Sequence, residues 1–140
     1  MARRLVEAGV GLVTVPWMHL HSTKNFDTHA KHFQVMKDVL LPPLDRAFSA
    51  LLEDLSERGM LDETLIAWTG EFGRTPKINP RAARDHWPQC YFSLWSGAGV
   101  PTGGAIGQSD KLGEHPLTTP ITPLMCGTTI TELAGLTTQD

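Results

Sequence analysis

Short, nearly continuous apolar segments that alternate with helical patterns are the feature that most constrains this fold. Segments 11–15 and 64–68 are largely apolar, and segment 90–95 is a further strand candidate. Such strands separated by helices are typical of a parallel sheet covered on both faces. The pattern predicts an α/β fold with a mostly parallel sheet flanked by helices.

Local signals predict four helices. The first covers residues 3–8, and the second starts at Asp27. The third starts at Pro43, because proline suits a first helical turn, and ends before Gly59. Its apolar stripe has helical spacing. The fourth starts after Thr122, a residue type that accepts hydrogen bonds from the first helical N–H groups.

Charge and hydropathy exclude several classes of protein. The 140 residues include 12 basic and 15 acidic side chains, for a formal net charge of −3. We therefore expect no nucleic-acid partner. No apolar run approaches the ~18 residues of a membrane helix, so no membrane span is expected. Cys90 and Cys126 form neither a zinc pattern nor a disulfide framework.

Three polar clusters lie next to the predicted strands. In open α/β sheets, ligands bind beyond the carboxyl ends of the strands. Carboxylate and imidazole groups together suit zinc, manganese or iron. The clusters are Phe26-Asp27-Thr28-His29-Ala30-Lys31-His32, Gly70-Glu71-Phe72-Gly73-Arg74-Thr75-Pro76 and Arg84-Asp85-His86-Trp87-Pro88.

The first cluster also has a purely structural interpretation. Asp27 could cap the helix that follows it, and spacing alone favours that role. His29 could be a core histidine, since it shares a helical stripe with Phe33, and His32 could be a solvated helix residue.

The other two clusters have similar alternatives. Glu71 lies between a glycine and a phenylalanine at the end of a strand, where turns more often use Asp or Asn. This favours a chemical role for Glu71. Arg74 could pair with Glu71, and Asp85 and His86 could be a hydrogen-bonded loop pair.

Several motifs, in order along the chain, resemble the bacterial family catalogued as domain of unknown function 1501. The matching segments are Ala2-Arg3-Arg4-Leu5-Val6-Glu7-Ala8-Gly9, Phe26-Asp27-Thr28-His29, Leu40-Leu41-Pro42-Pro43-Leu44-Asp45, Gly70-Glu71-Phe72-Gly73-Arg74-Thr75-Pro76, Arg84-Asp85-His86-Trp87-Pro88, Ser109-Asp110-Lys111 and Thr122-Pro123. That family is similar to the alkaline phosphatase and sulfatase superfamily, whose sites hold two metals. The resemblance implies that residues 1–140 are the C-terminal portion of one alkaline-phosphatase-like domain, without its N-terminal half.

The resemblance implies site residues as well. Asp27, His29 and His86 are the positions that match the ligands of one metal. The superfamily spaces its Asp and His four apart, but Lys31 occupies that position here; His29 is preferred because it lies in the matched motif. The second metal usually takes an Asp-His pair, where this chain has Glu71 followed by Phe72.

The implied activity is metal-dependent hydrolysis of a phosphate or sulfate ester. The metal is a divalent ion, zinc, calcium or manganese, and the substrate a small-molecule or polysaccharide ester. Arg74 would bind the ester oxyanion with a two-pronged guanidinium, and Asp85 would fix the tautomer of His86. No serine, threonine or cysteine occupies a recognisable nucleophile turn, so this portion alone is expected to be inactive. The alternative is a non-catalytic ligand-binding or structural domain of an exported protein, periplasmic or secreted.

Overall fold

A computed structural model describes residues 1–17 and 25–136 of the chain. The chain divides into two compact units. Unit 1 comprises residues 1–59 and 78–84, and unit 2 comprises residues 60–77 and 85–140. A short internal segment of the chain therefore returns to unit 1 before the chain completes unit 2.

Unit 1 is helical. Helix α1 spans Ala2–Glu7 and α2 spans His32–Val35. Helix α2 continues through a π-helical turn, Met36–Leu40, into α3, which spans Leu41–Glu57. Prolines 42 and 43 have no N–H to donate to the preceding turn, which accounts for the wider π-helical turn just before them.

The interior of unit 1 is small. Leu40, Leu55 and Ala83 are buried, and Leu55 is the most buried member of the apolar stripe of α3. Arg3 of α1 donates from Nε to Asp54 of α3 over 2.6 Å. Segment 78–84 joins unit 1 through hydrogen bonds that its carbonyl groups accept from the start of α2.

Unit 2 contains two small antiparallel sheets. Strands β1 (Ile66–Thr69) and β4 (Ser93–Ser96) form one, and β2 (Gly73–Arg74) and β3 (His86–Trp87) form the other. A single 3-10 turn, Leu61–Glu63, precedes β1. Helix α4 spans Pro123–Leu133.

The predicted mostly parallel, alkaline-phosphatase-like α/β sheet is wrong. Every strand pair in residues 1–17 and 25–136 is antiparallel. Segment 11–15 joins no sheet there, and its Leu12 and Val15 are 79% and 72% exposed. An apolar composition favours burial but specifies neither a partner nor a direction. The connection between β1 and β4 contains a hairpin-like pair instead of the crossover helix typical of parallel strands. The described chain is thus a small mixed fold with α1, the α2–α3 helix, α4 and two small sheets.

The first, third and fourth helices signalled by local sequence are confirmed. Helix α1 matches the predicted 3–8 segment, and α3 begins beside the proline pair and ends before Gly59. The Thr122 hydroxyl accepts from the Met125 N–H at the start of α4, as predicted. The second helix starts at His32 and not at Asp27. None of the helices in the described residues has the length and apolar character needed to cross a membrane.

Candidate metal site

In the loop before α2, successive side chains point alternately to solvent and to the interior. Asp27 and His29 are 46% and 64% exposed, whereas Thr28 between them is 3% exposed. Asn25 shapes the start of the loop, because its Oδ1 accepts the Asp27 N–H at 3.1 Å. The two-residue spacing therefore places Asp27 and His29 on the solvent-facing side.

Asp27 and His29 lie within contact distance of each other. Their Oδ2 and Nε2 atoms are 2.9 Å apart. At this distance the two groups form an ion pair. Ligand atoms on bonds of ~2.1 Å at the tetrahedral angle of zinc lie about 3.4 Å apart, so a metal ion would replace this contact with a slightly wider one. A carboxylate oxygen and an imidazole nitrogen also suit zinc or manganese. These two residues therefore fit the implied metal.

The structural interpretations of the first cluster are wrong for Asp27 and His29. The residue that caps α2 is Lys31, and no side chain makes a capping hydrogen bond there. His29 is too exposed to be a core histidine. His32 is half-buried and its Nδ1 is hydrogen-bonded to Thr28 Oγ1, so it is not a fully solvated helix residue.

The second and third clusters meet within unit 2. Arg74 of β2 pairs with His86 of β3 in the small antiparallel sheet. The His86 ring packs on the Phe72 ring with centroids 4.2 Å apart, and the Arg74 guanidinium lies 5.8 Å from the same ring centroid. Two nitrogen-bearing groups therefore surround Phe72. Phe72 offers no ligand atom, so the residues present do not fit the superfamily's second metal.

Hydrogen bonds hold Asp85 and Trp87 of unit 2 in place. Asp85 and Thr75 are joined twice: the Thr75 N–H donates to the Asp85 carbonyl, and the Asp85 N–H donates to Thr75 Oγ1. Glu71 lies just before β2, and its side chain is exposed. Trp87 donates from its indole nitrogen to the Glu114 carbonyl at 2.7 Å.

The predicted site residues are divided between the two units. Asp27 and His29 belong to unit 1, whereas Glu71, Arg74, Asp85 and His86 belong to unit 2. The structure brings together Asp27 with His29 in one unit, and Arg74 with His86 in the other. A metal shared by Asp27, His29 and His86 stays a prediction.

Sequence reasoning missed two residues that hold their loops in place through side-chain hydrogen bonds. Thr28 is the buried centre of its loop. Asp110 accepts backbone N–H groups from Leu112, Glu114 and His115, and these bonds lower the pKa of its carboxyl. An aspartate followed three residues later by a glycine is a turn signal that could have revealed Asp110.

Comparison with known proteins gives one match. The profile of the family described as protein of unknown function (DUF1501) matches residues 1–140. No curated protein and no solved structure is significantly similar to the chain. The match spans the whole sequence, including all three polar clusters, and the chain belongs to the DUF1501 family.

Proposed function

We propose that Asp27 and His29 bind a divalent metal, zinc, calcium or manganese, in a protein that hydrolyses a phosphate or sulfate ester. The observation that carries this proposal is the 2.9 Å separation of two exposed ligand atoms of different chemistry. A divalent ion held there supplies Lewis-acid chemistry, which polarises an ester oxygen and lowers the pKa of a bound water.

Residues of unit 2 have complementary roles in the proposal. His86 is the further ligand of this metal, by its position in the matched motif. Glu71 occupies the position of the second metal's carboxylate and can still ligate, whereas Phe72 beside it cannot. Arg74 binds the ester oxyanion, because a guanidinium offers two parallel N–H donors to two oxygens. Asp85 keeps His86 in the tautomer that leaves one ring nitrogen available. The β2–β3 pairing of Arg74 with His86 supports a joint role for these two residues.

A single metal is proposed, since Phe72 stands where the second metal's histidine is expected. A phenylalanine at this position also favours the alternative function, a domain that binds its ligand or metal without turnover. Such a domain would be a binding or structural part of an exported protein, periplasmic or secreted. The link with the alkaline phosphatase and sulfatase superfamily rests on the motifs alone, because the described sheets are antiparallel.

Metal binding is the direct test of the proposal. Calorimetric titration of the purified chain with zinc, calcium and manganese should reveal one site for at least one of these ions. Asp27→Asn and His29→Gln should each abolish or strongly weaken that binding. The matched controls are Asp45→Asn and His115→Gln, which alter an exposed aspartate and an exposed histidine elsewhere. Equal losses in the controls, or no metal binding at all, would contradict the proposal.

Hydrolysis separates the leading function from its alternative. Aryl phosphate, phosphodiester and aryl sulfate substrates should be offered with the metal identified above, in a longer protein that contains this chain as well as in the chain alone. We expect turnover only in the longer protein, and expect Arg74→Lys to reduce it. Metal binding without turnover in both would support the non-catalytic alternative.

A further inference from the structure

Thr28 is the buried polar residue among those that the structure describes. It is 3% exposed, although the residues on both sides of it are exposed. A buried hydroxyl needs a hydrogen-bond partner, because an unsatisfied polar group in the interior is costly. The partner of Thr28 Oγ1 is the Nδ1 atom of His32, four residues along the chain.

His32 is itself held by the backbone of unit 1. Its N–H donates to the Ala82 carbonyl at 2.9 Å, and the neighbouring Lys31 N–H donates to the Arg81 carbonyl at 3.1 Å. Lys31 has φ 49°, in the left-handed region that non-glycine residues seldom occupy. Residues in such conformations persist where surrounding contacts enforce them. The Thr28–His32 bond therefore ties the loop to a fixed part of unit 1.

We propose that Thr28, through His32, is a positioning residue that holds Asp27 and His29 in ligand geometry. This inference rests on the proposed function. Asp27 and His29 are the residues directly before and after Thr28 in the chain. A rotation of Thr28 out of the interior therefore changes the direction of both of their side chains. With Thr28 held inward, both ligand groups stay on the same exposed side, and their atoms stay 2.9 Å apart.

Two substitutions at Thr28 separate the hydroxyl from the shape of the side chain. Thr28→Val keeps the size and removes the hydrogen bond, whereas Thr28→Ser keeps the hydroxyl. Loss of a group that supports metal ligands costs roughly 10–100-fold in metal affinity. We expect Thr28→Val to weaken zinc binding by about this factor, and Thr28→Ser to stay close to the original chain. Thr118→Val is the matched control, since it removes a hydroxyl that accepts the Gln108 N–H in unit 2.

The partner residue completes the cycle. His32→Ala should weaken zinc binding as Thr28→Val does, and the double variant should be no weaker than either, because both changes break one bond. All titrations are made well below each variant's melting temperature. A Thr28→Val chain that has a lower melting temperature but binds zinc with the original affinity would overturn the inference. So would a loss in His32→Ala alone, which would identify His32 as a ligand.

A readout without metal distinguishes this inference from the proposed function. The ring nitrogen signals of His29 in the metal-free chain report its contact with Asp27, and Asp27→Asn gives the reference for a lost contact. We expect Thr28→Val to shift these signals toward that reference and Thr28→Ser to leave them. Unchanged His29 signals in Thr28→Val would overturn the positioning role. If the original chain binds no zinc while these signals shift as expected, the proposed function fails and the positioning role stands.

Discussion

The candidate residues of unit 1 are positioned mainly by side-chain oxygens, whereas those of unit 2 are positioned mainly by backbone pairing. In unit 1, Asn25 and Thr28 fix the loop through their side-chain oxygens. In unit 2, Arg74 and His86 pair as strand residues, and the Asp85 carbonyl accepts the Thr75 backbone N–H. The second bond between Asp85 and Thr75 runs from the Asp85 N–H to the Thr75 hydroxyl. The first arrangement depends on particular functional groups. The arrangement in unit 2 depends on small residues that let two stretches of main chain lie close together.

Aspartate has opposite uses in the two units. Asp110 turns both carboxylate oxygens inward onto backbone N–H groups of its own loop. Asp27 turns outward to His29, and the loop around it is closed by Thr28 instead. A carboxylate that closes its own loop has little left to offer a ligand. One whose loop is closed by a neighbour keeps its oxygens accessible, and this difference favours Asp27 over Asp110 as a metal ligand.

The largest expected effect tests the backbone side of this contrast. Gly73→Ala would place a methyl group 2.3 Å from the Cys90 carbonyl oxygen and 3.1 Å from the Trp87 carbonyl oxygen. Trp87 belongs to β3, so its carbonyl cannot move without disturbing the β2–β3 pair, and the Cys90 carbonyl moves only with its own stretch of main chain. We expect a loss of about 1–3 kcal/mol in the free energy of unfolding, measured in urea.

Gly70→Ala is the matched control for that change. A Cβ at Gly70 would meet only the Phe72 carbonyl oxygen, at an ordinary 3.7 Å, so its stability should stay within about 0.5 kcal/mol. Equal stability of the two variants would show that the segment carrying Arg74 is not held by close backbone contact.

The intermediate effect concerns pH and Asp110. Backbone hydrogen bonds, from Glu114 first and then His115 and Leu112, lower the pKa of this carboxyl. The unfolded chain, with an aspartate pKa of about 3.9, therefore takes up the proton before the folded chain does. The resulting stabilisation is present above about pH 4 and is lost as the pH falls through the folded pKa. Unfolding midpoints measured from neutral pH into acid should show this fall.

Asp110→Asn should remove that part of the acid dependence. Asp54 provides the comparison in unit 1, where hydrogen bonding to Arg58, together with Arg3, lowers its pKa and predicts the same sign. Asp54 forms ion pairs with Arg3 and Arg58 at the surface, and salt screens such pairs. The contribution of Asp54 to the acid dependence of stability should therefore shrink at high salt more than that of Asp110. An acid profile unchanged by Asp110→Asn would refute the inward role of this carboxylate.

The sequence predicted features whose signals are local. Thr122 followed by proline marked the start of α4, and Gly59 marked the end of α3, because capping depends on a few adjacent residues. Strand direction was predicted wrongly, since it is decided by partners distant in sequence. Segment 64–68 was correctly seen as extended, yet nothing in it specifies that β1 runs antiparallel to β4.

For the candidate site too, the sequence predicted what a local motif specifies and missed what depends on the conformation of the loop. The motif and its ligand chemistry pointed to Asp27 and His29, which lie together. Spacing alone suggested that Asp27 caps a helix, because it could not reveal that Lys31 adopts a left-handed conformation and delays the helix to His32. The burial of Thr28 was missed for the same reason. A threonine between two ligand candidates looks like any polar loop residue until its hydrogen-bond partner is known.

The smallest expected effect on stability belongs to Asp27, and it tests the side-chain half of the contrast. Asp27→Asn changes an exposed group that contacts the side chain of His29, which is itself more than half exposed. Exposed ion pairs contribute little, so we expect the free energy of unfolding to change by no more than about 0.5 kcal/mol. Metal binding should nevertheless be lost in the same variant, since a neutral amide is a poor replacement for a charged ligand. Urea unfolding and zinc titration on one preparation measure both quantities. A large loss of stability with metal binding intact would place Asp27 with Asp110, as a carboxylate that serves the fold.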